Sequence, residues 1–172
     1  GLGGHTHAML SAMPGLRVIG VDRDSEARAL AGARLSEFSS RVEILEGDFT
    51  SLESCLGGRK VDLLLADLGC SSLQMDDDAR GFSYRFASAL DMRMNRDQEI
   101  SADTVVNEYK FSQLERVFRV GGCGKNARAF ARAIEKARPV AGTKELQTAV
   151  EPVCRATKDS MAVVFQAIRI EV

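Results

Sequence analysis

The first five residues, Gly1-Leu2-Gly3-Gly4-His5, limit what this chain can fold into more than any other stretch. Because a glycine-rich run lacks Cβ atoms, its backbone can turn sharply and let a ligand approach the peptide N–H groups. The residues that follow predict a helix over 5–13, a turn at 14–15 and a strand over 17–22. A glycine loop that opens into a helix and leads to a strand is typical of a βαβ unit.

The predicted strand ends in Asp22, about 20 residues after the glycines. An acid at that place can accept hydrogen bonds from the two hydroxyls of a ribose. A dinucleotide site would have a third glycine at position 6, where this chain has Thr6. The pattern therefore predicts a nucleoside cofactor and favours S-adenosylmethionine, which has no pyrophosphate, over NAD. A helix-entry turn in a Rossmann-like domain without a ligand is the alternative at this point.

Composition excludes several other classes of protein. A chain of 172 residues with 45% apolar and 27% charged residues suits one globular domain, with room for a small insertion. With a net charge of −1, any contact with nucleic acid must come from a local basic patch. The four cysteines form no C-x-x-C pair and there are only two histidines, which argues against a metal site and a disulfide framework. No apolar run is long enough to span a bilayer, so we expect no membrane partner.

Two further strands are predicted, over 41–46 and 61–66. The second is almost continuously apolar, as in a parallel sheet whose two faces are both covered. Phe49 follows the first strand, where it can cover an adenine ring or plug the space under the loop, and Asp67 ends the second. Because open α/β sheets bind ligands at the carboxyl ends of their strands, we expect Asp22, Phe49 and Asp67 to line one site.

The second half of the chain has a different pattern. Residues 72–101 show little periodicity, and a loop of that length is usually functional or disordered. Its three consecutive aspartates, 76–78, fit a solvated acidic turn better than a metal site. The pattern then predicts a succession of helices, over 101–120, 125–138 and 143–150, whereas 161–172 fits either a helix or a strand. We therefore expect a small helical insertion that begins near residue 97.

The predicted helix over 125–138 has one apolar face and one basic face. The basic face is formed by Lys125, Arg128, Arg132 and Lys136. Such a stripe can bind RNA phosphates, and a solvated helix surface explains it equally well.

Several longer motifs occur in a fixed order, and together they identify a resemblance. They are Gly-Gly-His at 3–5, Val-Asp-Arg-Asp at 21–24, Asp-Leu-Gly-Cys-Ser-Ser at 67–72, Gln-Met-Asp at 74–76, Arg-Gly-Phe-Ser at 80–83, Leu-Asp-Met-Arg-Met at 90–94 and Phe-Gln-Ala-Ile-Arg-Ile at 165–170. They closely resemble the MraW/RsmH-type family of small-subunit ribosomal RNA (cytosine-N4) methyltransferases, including its mitochondrial relatives. The resemblance covers nearly the whole chain, and the motifs at 67–72 and 90–94 are the most specific.

The resemblance implies a class I, Rossmann-like S-adenosylmethionine methyltransferase fold with an inserted small helical subdomain. It divides the chain into a methyltransferase core over 1–96, an inserted helical subdomain over 97–160 that helps to hold RNA, and a return to the core over 161–172. It implies cofactor contacts at Gly3, Gly4, His5, Asp22, Phe49, Asp67 and Gln74. Asp67 is also the candidate catalytic residue, because a carboxylate can accept hydrogen bonds from the cytosine amine. Small-subunit ribosomal RNA, or an assembly intermediate of that subunit, is the expected partner, in ribosome biogenesis.

The chain also departs from the family pattern. It has Gly-Gly-Cys-Gly at 121–124 where the family has Tyr-Gly-Glu-Glu, and it differs at 87–89 and 161–164. These changes leave the cofactor positions intact, so we expect them to affect RNA placement and turnover more than cofactor binding. We further expect the core sheet to lack its first strand, so that the native protein is longer or a protein partner covers the gap.

The sequence leaves three functions to compare. The first is the rRNA methyltransferase; the second is a methyltransferase-like ribosome-assembly or RNA-binding factor with weak or no catalysis. A NAD-dependent Rossmann oxidoreductase is the third, and Thr6 speaks against it. We expect an intracellular protein, with a mitochondrial location favoured over the bacterial cytoplasm because the family motifs are locally eroded.

Overall fold

The computed structural model describes residues 1–172, which form a mixed α/β protein with eight α-helices and a two-stranded parallel sheet. The chain divides into two compact units. The first unit comprises residues 1–71 and 94–96, and the second comprises residues 72–93 and 97–172. The predicted boundaries near 97 and 160 remain predictions. No helix has both the length and the apolar character required to cross a membrane.

The first unit contains a βαβ arrangement preceded by a helix. Its elements are α1 (Gly4–Ala12), β1 (Val18–Asp22), α2 (Ser25–Arg34), β2 (Val42–Glu46) and α3 (Leu52–Leu56). The strands pair in parallel, from Val18 opposite Val42 to Asp22 opposite Glu46. The predicted helix over 5–13 and the predicted strands over 17–22 and 41–46 are confirmed as α1, β1 and β2, each within one residue of its predicted bounds. A short 3₁₀ turn at Ser36–Phe38 follows α2.

The core of the first unit is small and lies between the helices and the sheet. Leu10 of α1 is buried against Ala31 and Leu35, and Val18 and Ile44 of the two strands pack against this group. A polar contact fixes the turn between α1 and β1, because the guanidinium of Arg41 donates hydrogen bonds to four backbone carbonyls between residues 10 and 16. Arg41 therefore holds the C-terminal end of the helix that follows the glycine loop.

The predicted strand over 61–66 is wrong. These residues form no strand, and the sheet contains only β1 and β2. Leu63, Leu64 and Leu65 are 79%, 66% and 57% exposed. In a parallel sheet, a central strand is covered on both faces and paired along both edges, and its sequence is therefore a continuous apolar run. For this reason such a run predicts a strand. Neither β1 nor β2 pairs with this segment, so the local pattern is present without the partners that would make it a strand.

The second unit is helical. Its elements are α4 (Ser72–Asp76), α5 (Phe111–Phe118), α6 (Ala127–Ala137), α7 (Thr143–Thr157) and α8 (Met161–Glu171). The predicted helix over 101–120 is divided, with π-helical turns at 104–108 and 119–123 on either side of α5. The last segment, which fitted helix or strand, is a helix. The core is a single large cluster in which Phe118, Phe130 and Phe165 are fully buried.

The long segment between α4 and α5 is ordered by contacts distant in sequence. Phe82, Leu90 and Met92 are at most 3% exposed. Two backbone hydrogen bonds close this segment. The Met92 N–H donates to the Arg80 carbonyl (3.0 Å), and the Ala102 N–H donates to the Asp91 carbonyl (2.7 Å). Of the two alternatives for this loop, disorder is therefore excluded.

Thr143, the first residue of α7, is bonded to a segment that is distant in sequence. The N-cap residue is Gly142, and the buried Thr143 hydroxyl donates to the Phe86 carbonyl (2.7 Å) and accepts from the Ser88 N–H (3.0 Å). The Thr143 N–H also donates to the Ser88 carbonyl (2.9 Å). The first turn of α7 thus holds the segment that differs from the family pattern at 87–89.

Candidate functional site

The glycine loop adopts the conformation that its composition predicts. Gly3 is the N-cap of α1 with φ 76° and ψ 12°, in the left-handed region that favours glycine. A Cβ atom at this position would lie 3.1 Å from Leu35 Cδ1 and 3.4 Å from Ala31 Cα, so the loop also passes close to α2. Gly4 and His5 form the first turn of α1, where backbone N–H groups have no partner within the helix. These groups are available to a ligand.

Asp22 lies beside this loop, at the carboxyl end of β1. Its carboxylate accepts a hydrogen bond from the Asp24 N–H at 2.8 Å and lies against the backbone nitrogen of Gly1. The Asp22 side chain is 19% exposed. One oxygen is thus fixed by the following turn, and the carboxylate is held next to the glycines, as expected for a group that binds ribose hydroxyls.

His5 and Asp67 form a second contact within the first unit. His5 Nδ1 is 3.4 Å from Asp67 Oδ2, and the side chains are 72% and 74% exposed. Asp67 follows the segment that does not form the predicted strand, yet its carboxylate still lies at the first turn of α1. The contact joins two predicted site residues and places a second negative charge near the glycine loop.

Phe49 follows β2 and is 66% exposed, so it is not a hydrophobic plug under the loop. The turn that carries it is fixed by Asp48, which accepts hydrogen bonds from Thr50 and from the Ser51 N–H (3.1 Å). The hydrogen bonds from the Thr50 hydroxyl and N–H lower the pKa of Asp48, so this carboxylate keeps its charge and its bonds in mildly acidic solution. The aromatic ring is therefore presented to solvent on an ordered turn.

Gln74, the last predicted cofactor residue, belongs to the second unit. It lies on α4 and is 5% exposed. The same unit holds the Arg-Gly-Phe-Ser motif in place through a contact that sequence reasoning missed. Arg169 of α8 donates to the Phe82 carbonyl at 2.7 Å. Two motifs that are far apart in sequence are thereby joined, and no periodicity could have indicated it.

The predicted basic face is exposed, but α6 begins at Ala127, so Lys125 lies in the 3₁₀ turn Gly124–Asn126 that precedes the helix. Lys125, Arg128, Arg132 and Lys136 are all exposed, whereas Phe130 and Ile134 on the opposite face are fully buried. The sequence did not indicate the aromatic residue beside this stripe. The Arg128 guanidinium carbon lies 5.6 Å from the centre of the Phe111 ring, within range of a cation–π interaction.

Comparison with known proteins identifies the family. The model of the MraW methylase family matches residues 1–172, the whole chain. The chain belongs to the MraW methylase family. The resemblance found from the motifs is therefore confirmed.

Relatives with curated names agree with this result. The chain is 43% identical to the ribosomal RNA small subunit methyltransferase H of Kocuria rhizophila, covering 100% of this chain and 56% of that protein. Proteins of the same name from Helicobacter pylori and Mycoplasmopsis synoviae are 41% and 42% identical and are covered over 58% and 60% of their lengths. This MraW methylase chain thus spans less than two thirds of the length of these relatives. All three relatives are bacterial and give no support to a mitochondrial location.

Proposed function

We propose that this chain contains the cofactor site and part of the RNA surface of an S-adenosylmethionine-dependent methyltransferase with a class I, Rossmann-like fold. Its substrate is the exocyclic N4 of a cytosine in small-subunit ribosomal RNA, and the reaction belongs to ribosome biogenesis. The observation that carries the proposal is the junction of the glycine loop with Asp22, where unpaired N–H groups and a fixed carboxylate lie together. The names of the relatives supply the substrate class.

The residues around this junction fit the chemistry of the cofactor. The N–H groups of Gly3, Gly4 and His5 would face its polar end, Asp22 its ribose hydroxyls and Phe49 its adenine. Gln74, which belongs to the second unit, is proposed on the family motif alone. S-adenosylmethionine supplies a methyl group activated by a positively charged sulfonium, and a site with two carboxylates, Asp22 and Asp67, suits that charge.

Asp67 has the properties required of the residue that prepares the substrate amine. The lone pair of the cytosine N4 is delocalised into the ring, so the amine is a poor nucleophile. A carboxylate that accepts a hydrogen bond from the N–H favours a pyramidal nitrogen and can take the proton released as the N–CH₃ bond forms. His5 Nδ1 lies 3.4 Å from the Asp67 carboxylate, beside the start of α1.

The cofactor site is tested by calorimetric titration of the native protein with S-adenosylmethionine. We expect Asp22→Ala to weaken binding at least tenfold, equivalent to about 1.4 kcal/mol. Asp62→Ala, which removes an exposed carboxylate four residues before the end of the 61–66 segment, is the matched control and should bind like the parent protein. A folded parent protein that does not bind the cofactor would contradict the proposal and favour the assembly factor without catalysis.

The role of Asp67 needs a separate measurement. Transfer of labelled methyl groups to small-subunit RNA should fall at least a hundredfold in kcat for Asp67→Asn, the loss typical of a removed general base. Cofactor affinity should change much less. Equal losses in affinity and turnover would show that Asp67 only binds the cofactor.

The basic face of α6 is the proposed RNA surface of this enzyme. Its four exposed cations, Lys125, Arg128, Arg132 and Lys136, can neutralise backbone phosphates, and their contribution should decrease as salt concentration increases. A partner that covers the exposed leucines at 63–65 remains part of the proposal, since these residues lack neighbours in the sheet.

A further inference from the structure

Within the basic face, Arg128 contacts an aromatic ring, that of Phe111. Phe111 is the first residue of α5 and is half-buried against the core, whereas Arg128 is near the start of α6 and is exposed. The packing of α5 on α6 brings the guanidinium carbon to 5.6 Å from the ring centre. One side of the guanidinium therefore faces an anchored aromatic ring, and its exposure leaves the other side accessible.

The surrounding charges favour an anionic ligand. Residues 125–138 contain five basic residues and one acidic residue, Glu135, in a chain whose net charge is −1. Two carboxylates on neighbouring elements are paired with arginines, Glu115 with Arg119 and Glu171 with Arg116, and Asp159 accepts a hydrogen bond from Asn126 just before α6. Arg128 and Arg132 are four residues apart, which separates them by about 6 Å along the helix. Positive charges thus continue along α6 from the position of the Arg128–Phe111 contact.

We propose that Arg128, supported by Phe111, is a stacking platform for an unpaired RNA base, and that Lys125, Arg132 and Lys136 bind the adjacent phosphates. A planar, delocalised guanidinium stacks on aromatic faces, and bases in single-stranded RNA stack on such planes. Bases inside a duplex have no free face to offer. This inference rests on the proposed function and narrows its substrate to a single-stranded segment of the RNA.

The test compares a ligand that has bases with one that has only the backbone. Fluorescence anisotropy of the native protein is measured with a labelled oligo(C) ribonucleotide and with an abasic ribo-oligomer of the same length. Because stacking contributes on the order of five- to a hundredfold per base, we expect oligo(C) to bind at least about fivefold more tightly. A site that binds only phosphates would bind both oligomers equally, and this result would overturn the proposal.

Two conservative substitutions identify the residues responsible. Phe111→Leu keeps an apolar side chain against the core and removes the aromatic ring. Arg128→Lys keeps the positive charge and removes the planar guanidinium. Each should abolish the preference for oligo(C) and leave affinity for the abasic oligomer within about twofold. Arg132→Lys is the matched control on the same face and should keep the preference. If Arg128→Lys behaves like Arg132→Lys, the platform does not exist.

A titration with S-adenosylmethionine on the same preparations separates this proposal from the previous one. Loss of the oligo(C) preference with cofactor binding intact would refute only the stacking platform. A preference for oligo(C) without cofactor binding would refute the methyltransferase and leave the platform in place.

Discussion

Replacement of Gly121 by alanine tests how closely α8 approaches the turn before α6. Gly121 is buried in the π-helical turn Arg119–Cys123. A Cβ atom added there would lie 2.2 Å from the Cβ of Ala167 and 2.4 Å from its Cα. Carbon atoms in contact are normally about 3.5–4.0 Å apart, so the two elements would have to separate by more than about 1 Å.

The expected cost is at the upper end of the range for overpacking. Ala167 has no flexible side chain that could turn away, and one of the clashing atoms belongs to the backbone of α8. We expect Gly121→Ala to reduce the free energy of unfolding by about 3 kcal/mol. For a chain of this size that corresponds to a decrease of roughly 6–12 °C in Tm.

Urea denaturation followed by circular dichroism measures this change, with Gly32→Ala as the control. Gly32 lies inside α2 with no atom within 4 Å of the added Cβ, so alanine there should raise stability by about 0.5–1 kcal/mol. Adding Ala167→Gly to the Gly121→Ala variant should restore only part of the loss, because the contact with Cα remains. An unchanged stability of Gly121→Ala would refute the close packing of α8 on this turn.

Two further predictions concern buried polar groups of the second unit. Thr143→Val removes the hydrogen bonds to Phe86 and Ser88 and should lower stability by about 2–3 kcal/mol in urea denaturation, and an effect below about 0.5 kcal/mol would contradict the anchoring of this segment. Burial raises the pKa of the Cys123 thiol from 9.0 to about 11. Between these values the unfolded chain loses a proton that the folded chain keeps, so stability should fall as the pH rises from 9 to 11, with a flatter profile for Cys123→Ala.

In the first unit α1, β1 and β2 were predictable because their signals are local. The glycine loop before α1 and the alternation along β2 each depend on a few neighbouring residues. The apolar and basic faces of α6 were predictable for the same reason, since a period of 3.6 places them on opposite sides.

The remaining features depend on contacts between distant segments. The apolar run over 61–66 indicates burial on both sides, but periodicity does not say which strands provide it. Two contacts in the site could not be predicted because each depends on how distant segments pack. They are the contact of His5 with Asp67 and the contact of Phe111 with Arg128. Likewise, order in the long segment around Phe82 comes from α7 and α8, through Thr143 and Arg169.

The exposed leucines after α3 have a consequence for the behaviour of the protein in concentrated solution. A short apolar segment that is uncovered and free of proline is the kind that initiates intermolecular β-aggregation. Here the leucines are bordered by Arg59, Lys60, Asp62 and Asp67, and charges in such positions act as gatekeepers against stacking of chains. Because Asp67 is one of these charges, we expect its neutralisation to increase aggregation in addition to the proposed effect on catalysis.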